Sequence, residues 1–419
     1  MPIFTIAVKS LLNRKSTATL TIIAIAISVT LLLGVERIRS EARSSFANTI
    51  SGTDLIIGAR GGSIQLLLYS VFRIGNATNN ISWGSYRKFA ELPSVAWTIP
   101  LSLGDSHLGY RVLGTTGEYF RHYRYGAKRK LQFLKGVAFD DIFDAVLGAE
   151  VAEKLGYRVG DPLIVTHGIA KQGGQDHGDK PFRVSGVLAK TGTPVDQTIH
   201  VSLAGIEAIH IDWRGGAKVT GFSITADEVR SLNLQPKSIT AFLVGLNSRL
   251  DAFRIQRQAN IFDKEPLTAI LPGVALHELW SVLGTAETAL SVISFFVIAT
   301  SILGMLTVLL AGVNERRREF SVLRSVGART RQIFTLHLIE ALFLTAAGIV
   351  IGTAVLYALL LFSQPIIEDH YGLFINIGPP TKGDIMRLTL VLLAGLIAGI
   401  APAWRAYKST LADGLNAQH

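Results

Sequence analysis

Imidazole and carboxylate side chains concentrate in one short stretch, residues 166–179 (THGIAKQGGQDHGD). His167, Asp176, His177 and Asp179 offer the nitrogen and oxygen donors that suit zinc and similar metals. The glycines make the stretch a polar loop, and two histidines ten residues apart in such a loop have no fixed geometry. A solvated hairpin loop is therefore the plain reading. Metal contact through His167, Asp176 and His177 stands as the alternative, with His200 and His210 as further imidazoles in the same region. A second feature, Gly58-Ala-Arg-Gly-Gly62, follows a mostly apolar run at 54–57. It resembles a phosphate-cradling turn but lacks the Gly-x-x-x-x-Gly-Lys spacing, so it reads as an ordinary turn. The chain contains no Gly-x-Ser-x-Gly, His-Glu-x-x-His or Walker A sequence. It has no cysteine, hence no thiol nucleophile, thiolate ligand or disulfide. A non-catalytic chain that binds no cofactor of its own is expected, and any ATP site must lie on another chain.

The most informative stretch is 313–334 (VNERRREFSVLRSVGARTRQIF). Glu315, Arg316 and Glu319 open it, followed by Phe320, Val322, Leu323 and Val326 among Arg324 and Ser325. Phe320, Leu323 and Val326 at helical spacing project from one side of a short amphipathic helix. Gly327-Ala328 then breaks the helix, glycine being the residue that enters left-handed backbone at no steric cost. An apolar ridge rimmed by arginine is what a helix presents to a groove on a partner. An ordinary positively charged loop would explain the arginines but neither the apolar spacing nor the break.

The elements around this stretch are membrane spans. Hydrophobic residues make up 49% of the 419 and charged residues only 17%, below the roughly 25% of soluble domains. The apolar residues gather in four blocks, at 17–36, 285–313, 333–362 and 385–402, each near the roughly 20 residues a bilayer core demands. The first block is longer than a signal-peptide core and runs into Glu36-Arg37-Ile38-Arg39 without a small-residue cleavage site, so it reads as an uncleaved anchor. Arg387 lies inside the fourth, where a long side chain snorkels to the headgroups. Residues 1–16 read as an amphipathic helix in the cytoplasmic interface, the alternative being a downward continuation of the first span.

Net charge is +10, and basic residues flank the apolar blocks. That favours a membrane surface over nucleic acid. Lys9, Arg14 and Lys15, the six arginines of 316–331, and Arg405 with Lys408 place both termini and segment 314–332 in the cytoplasm. Residues 363–384 form a short external loop, 403–419 a cytoplasmic tail, and 37–284 one large exported domain. That domain reads as mixed α/β. Strands are expected at 95–103, 110–115, 163–166, 182–188 and 240–246, and helices at 145–155, 201–209 and 250–262. Two lobes are plausible, one of residues near 131–219 and one of the remainder.

The pattern over 315–333 (Glu-Arg-x-x-Glu, then Leu-Arg-x-Val-Gly-Ala-x-x-x-x-Ile) resembles the signature of the FtsX/MacB-type ABC permease family. Leu338-Ile-Glu-Ala-Leu342, Gly348-Ile-Val-Ile-Gly352 and Pro402-Ala-Trp-Arg-Ala406 are similar to the family's third helix and C-terminal end. The tail departs from the family at 409–415, which lacks the usual Asp-Pro. The resemblance is close over 285–415, and one span, a large domain and three more spans match its layout. It implies a permease homodimer with two cytoplasmic ATPase subunits that hold ATP and Mg. The helix carrying Glu315, Arg316, Glu319, Phe320, Leu323, Arg324, Gly327 and Ala328 would be the coupling helix seated on the ATPase. It further implies a bacterial inner-membrane location and transmission of motion to the exported domain, driving export, extraction or release of a lipoprotein, lipid or other hydrophobic substrate. A periplasmic adaptor or lipoprotein and membrane lipid are the further partners expected. The alternative is a non-transporting signalling protein that regulates an envelope enzyme or senses a periplasmic ligand, a metal among them.

Overall fold

The computed structural model describes residues 2–168, 176–214, 217–218, 224–315, 322, 325–371 and 377–415. The helices that matter here are α1 (Pro2–Asn13), α2 (Lys15–Thr49), α3 (Ala149–Leu155), α4 (Leu203–His210), α5 (Ala252–Asn260), α6 (Pro272–Glu315), α7 (Thr330–Tyr371) and α8 (Lys382–Leu415). The chain forms two compact units. One comprises Met1–Glu41, Gly284–Ile366 and Ile375–His419, the other Ala42–Leu283 with Ile367–Phe374.

Among the described residues, four helices are long and apolar enough to cross a membrane: Lys15–Glu41, Pro272–Val313, Thr330–Ile366 and Lys382–Lys408. The two shortest, at 27 residues each, are about 40 Å long at 1.5 Å per residue, more than the bilayer core requires. Hydrophobic burial does not drive helices together within lipid, so small residues and buried polar contacts hold the bundle. A Cβ on Gly348 would lie 2.6 Å from Ile25 Cγ2, and one on Gly352 2.5 Å from the Ala26 carbonyl oxygen, so α7 meets α2 at a glycine surface. Thr30 Oγ1 donates to the Gly352 carbonyl (2.9 Å) across the same contact. Ser28 and Ser301 hydroxyls are 2.7 Å apart between α2 and α6. Gly395 and Gly399 of α8 pack in the same way on Thr345 and Ala341.

Arg387 does not stand alone in its span. Its guanidinium lies 2.8 Å from Glu36 and 3.5 Å from Asp384, so α8 and α2 are ion-paired near one end of the bundle. Arg39 adds a 3.0 Å pair to Glu287 of α6. At the N-terminus a break at Arg14 separates α1 from α2, and Ser10 Oγ donates to Glu340 Oε1 at 2.7 Å.

The second unit is built on a mixed sheet of eleven strands. They are β1 (Leu55–Ala59), β2 (Val95–His107), β3 (Tyr110–Thr115), β4 (Phe133–Gly136), β5 (Asp144–Leu147), β6 (Pro162–Leu163), β7 (Thr166–His167), β8 (Phe182–Leu188), β9 (Thr198–Ser202), β10 (Ala241–Leu246) and β11 (Leu267–Ile270). Their order is β11-β1-β10-β2-β3-β9-β5-β8-β4, with β7 on β2 and β6 on β8. Strands from the two expected lobes thus share one sheet, meeting where β3 runs parallel to β9. Both faces are covered. Leu55 and Ile57 enter one buried apolar cluster with Phe242 and Val244, while Ile56 joins another with Leu101, Leu113 and Leu243. Alternation of side chains across a strand explains why an unbroken apolar run is needed there.

Two helix starts differ from expectation. Residues 144–147 form β5, and the helix begins only at Ala149. A Cβ on Gly148 would sit 2.2 Å from the Val195 carbonyl oxygen, so only glycine permits the turn between them. Likewise 198–202 is β9, and α4 starts after Ser202, whose hydroxyl accepts from the Gly205 amide (2.8 Å) as an N-cap.

Candidate functional site

Strand β2 carries Asp105 close to its end, and β7 pairs with it antiparallel so that His167 stands directly opposite Asp105 and Thr166 opposite Ser106. Ser106 Oγ donates to the Gly168 carbonyl (2.6 Å) and the Gly168 amide to the Gly104 carbonyl (3.1 Å), which fixes the exit of β7. The chain returns at Asp176, which bridges Thr166 and accepts a 2.7 Å hydrogen bond from its hydroxyl. The His177 amide then donates to the Val165 carbonyl (2.9 Å). Helix α4 is anchored on the sheet by buried Leu203, Ala208 and Ile209 and ends at His210.

These elements bring together His167 and His177, as well as Asp105 and His210, 62 and 43 residues from His167 in sequence. His167 Nδ1 lies 3.1 Å from Asp105 Oδ1 and 3.0 Å from His210 Nε2, and His210 Nε2 lies 3.5 Å from Asp105 Oδ1. One donor atom from each of Asp105, His167, His177 and His210 falls within 4.8 Å of all the others. Asp176 stays outside this set, bonded to Thr166. The indole of Trp213 forms one wall, with its ring centre 4.2 Å from that of His177 and 5.4 Å from that of His167. Behind it Lys180 Nζ lies 3.0 Å from both carboxylate oxygens of Asp212, and both side chains are completely buried.

The electrostatics follow from this packing. Burial works to raise the Asp105 pKa, but the His167 and His210 imidazoles set against its Oδ1 outweigh it and hold the carboxyl at about 2. Burial, reinforced by the nearby His210, pushes His177 down to about 4. His210 moves upward because its bonding to the Asp105 carboxylate outweighs its burial. Of the other two partners, Asp105 carries no mark in the sequence reading, and His210 enters it only as a further imidazole. The only local trace of the first is a polar Gly-Asp-Ser-His run, residues 104–107, closing an otherwise apolar strand.

The segment between α6 and α7 is described in part. Arg316, Glu319, Phe320, Leu323 and Arg324 lie outside the described residues. Helix α6 is described as far as Glu315. Val322 is helical, and the Val326 amide donates to its carbonyl (3.2 Å). Both valines are exposed, Val326 at 82%. Gly327 has φ +95°, and a Cβ there would meet nothing within 4 Å, so a left-handed turn with open space around it ends the helix. After Ala328, the Arg329 amide donates to Gln332 Oε1 (2.8 Å) as α7 begins. Val313, Ile333 and Ala406 form a buried cluster joining α6, α7 and α8 near this segment.

Two family models match the chain: the MacB-like periplasmic core domain over residues 18–240, more than half of the chain, and the FtsX-like permease C-terminal over residues 291–411. The chain belongs to the MacB/FtsX-like permease family. The site residues Asp105, His167, His177 and His210 fall in the region matched by the periplasmic core, and 315–328 in that matched by the permease part. Similar proteins include the macrolide export ATP-binding/permease protein MacB of Azoarcus sp., 24% identical, with 96% of this chain and 57% of that protein covered. The protein of the same name from Nitrobacter winogradskyi is 24% identical over 95% of this chain and 57% of its own length. The chain thus spans little more than half the length of these relatives. The crystal structure of the periplasmic region of MacB from Actinobacillus actinomycetemcomitans aligns with 55% of this chain and 94% of that one, at 13% identity and a TM-score of 0.32. Family and fold together describe an ABC-type permease of the inner membrane, multi-pass, with four apolar helices and a mixed α/β periplasmic domain between the first and second.

Proposed function

We propose that this permease couples ATP hydrolysis by a separate cytoplasmic ATPase to motion of its periplasmic domain. Two copies of the permease would work with two of the ATPase, which holds ATP and Mg²⁺. The observation that carries the reading is the order of parts in one chain. A span and a MacB-like periplasmic core precede three spans of FtsX type, and an arginine-rich segment stopped by Gly327 joins the second and third. These 419 residues hold no Walker A sequence, so a nucleotide site for this machine lies outside them. The exposed Val322 and Val326 beside the arginines supply part of an apolar docking ridge. The positive-inside pattern supports cytoplasmic termini. Helix α6 runs 44 residues, about 65 Å and roughly twice a bilayer core, a length suited to passing motion beyond the membrane. The substrate class is a lipoprotein, lipid or other hydrophobic molecule handled at the outer face, with a periplasmic adaptor or lipoprotein as a further partner.

The test is ATP hydrolysis in lipid nanodiscs by the purified chain, alone and with the ATPase encoded nearest to it. The expected result is no activity from the chain alone and regulated activity in a stoichiometric complex. Hydrolysis by the chain alone, or no complex with the ATPase, would overturn the proposal. A complex whose ATPase is regulated but which moves no lipid or lipoprotein would favour the signalling function instead.

A further inference from the structure

We propose that Asp105, His167, His177 and His210 form a four-ligand site for a divalent cation of the zinc class in the periplasmic domain. The inference is independent of the permease reading and rests on three observations.

The first is distance. Four donors at about 2.0–2.1 Å around a tetrahedral zinc are about 3.3 Å from one another. The measured separations among Asp105 Oδ1, His167 Nδ1 and His210 Nε2 are 3.0, 3.1 and 3.5 Å. Three corners of the tetrahedron are therefore already set at their spacing, and His177 supplies the fourth donor within 4.8 Å.

The second is hydrogen-bond arithmetic. His210 Nδ1 lies 2.9 Å from the Ile206 carbonyl, which can only accept, so this nitrogen carries the proton. In a neutral ring Nε2 then presents a lone pair to the cluster, the arrangement in which a ligating histidine is held by an outer partner. Two imidazole nitrogens only 3.0 Å apart, His167 Nδ1 and His210 Nε2, cannot both bear protons. Asp105 can be satisfied by these rings, but His177 cannot: it is 0% exposed and neither ring nitrogen has a hydrogen-bond partner among the described residues. A fully buried, doubly unpaired imidazole is costly. A cation at the centre of the four groups satisfies it together with the other three.

The third is the outer shell. Trp213 packs against His177, and the buried Lys180–Asp212 pair ties the turn after His177 to the turn after His210. The donor set of three imidazoles and one carboxylate selects zinc and its borderline neighbours over magnesium or calcium, which take oxygen ligands. Because the protein fills all four positions, the site is closed in the manner of structural zinc. It would cross-link β2, β7 and α4. His167, with its side chain 39% exposed, provides the side of entry.

The test uses the full chain in nanodiscs, treated with a chelator and then titrated with Zn²⁺ by calorimetry, and with Co²⁺ by visible absorption. Expected are one high-affinity Zn²⁺ per chain, the intense d–d bands of tetrahedral Co²⁺, and a higher thermal midpoint with metal than without. H210A and H177A should each weaken binding by more than the roughly 10- to 100-fold that outer-shell partners contribute. H167Q changes a partly exposed side chain and should do the same without unfolding the domain, while H122A, outside the cluster, should bind as the parent does. Zn²⁺ binding unchanged in H167Q, octahedral Co²⁺ spectra, or no saturable binding by the parent chain would overturn the proposal.

Discussion

Lys180 and Asp212 form an ion pair with both side chains closed to solvent, the ammonium 3.0 Å from each carboxylate oxygen. Removing the Lys180 ammonium takes the opposite charge away from a fully buried carboxylate, at a cost of about 3–5 kcal/mol. K180M is therefore expected to lower the thermal midpoint of the nanodisc-embedded chain sharply. K180M/D212L, which removes both charges, should recover much of the loss. Equal midpoints for the single and double variants would show that the pair is not coupled.

The glycines of α7 give a second expectation. A Cβ on Gly352 would press on backbone, at 2.5 Å from the Ala26 carbonyl oxygen and 3.0 Å from Ala26 Cα. Backbone cannot rotate aside, so G352A should force α2 and α7 apart at about 1–3 kcal/mol. It would also disturb the Thr30 bond to the Gly352 carbonyl. A Cβ on Gly304 meets nothing within 4 Å, so G304A should be neutral or slightly stabilising through helix propensity. Resistance to SDS-induced unfolding should fall for G352A and not for G304A. The same value for both variants would deny the close contact.

His200 predicts a pH dependence. Its ring is completely buried beside Tyr119 and Phe120. Burial, helped by the charge of Arg73, pushes its pKa from 6.5 to about 3. Between those values the unfolded chain binds a proton that the folded chain refuses, so stability rises with pH across the window. This contribution is lost as pH falls below about 6.5, by at most about 1.4 kcal/mol per pH unit. Subtracting the melting curve of H200L from that of the parent at pH 7, 6, 5 and 4 should leave a difference that grows towards acid. A constant difference would mean that His200 is not buried neutral.

The parts that were legible in the sequence are those encoded by composition within one window. Four apolar blocks identify four helices, since a single apolar run of about 20 residues satisfies its own backbone groups in lipid only as a helix. Their ends were less legible. Helix α6 starts at Pro272, ahead of the apolar block at 285–313, because His277 and Glu278 interrupt the hydropathy but not the helix. Residues 145–147 and 201–202, the ends of two strands, read as part of the helices that follow them, since a short apolar run has no period of its own. Only the tertiary contact at Gly148 reveals the first break. The histidine cluster shows the limit most clearly. His167 and His177 are local, but Asp105 reaches them through strand pairing across 62 residues, and His210 through the docking of α4. Register between distant strands is a property of the whole sheet, with no signature at either residue.

The segment after α6 allows a graded test of coupling. Gly327 has φ +95° with free space where a Cβ would be, so the cost of substitution there is conformational rather than steric. Left-handed backbone costs an ordinary residue about 1–2 kcal/mol, asparagine less and β-branched residues more. G327N, G327A and G327V should therefore reduce stimulation of the partner ATPase in that increasing order, with membrane insertion unchanged. F320D/L323D attacks the apolar ridge itself and should abolish co-purification with the ATPase, because two buried carboxylates would oppose docking. If the glycine series follows this order while F320D/L323D co-purifies normally, the turn matters but the ridge is not the docking surface. Full stimulation by G327V together with a normal complex for F320D/L323D would remove this segment from the coupling path.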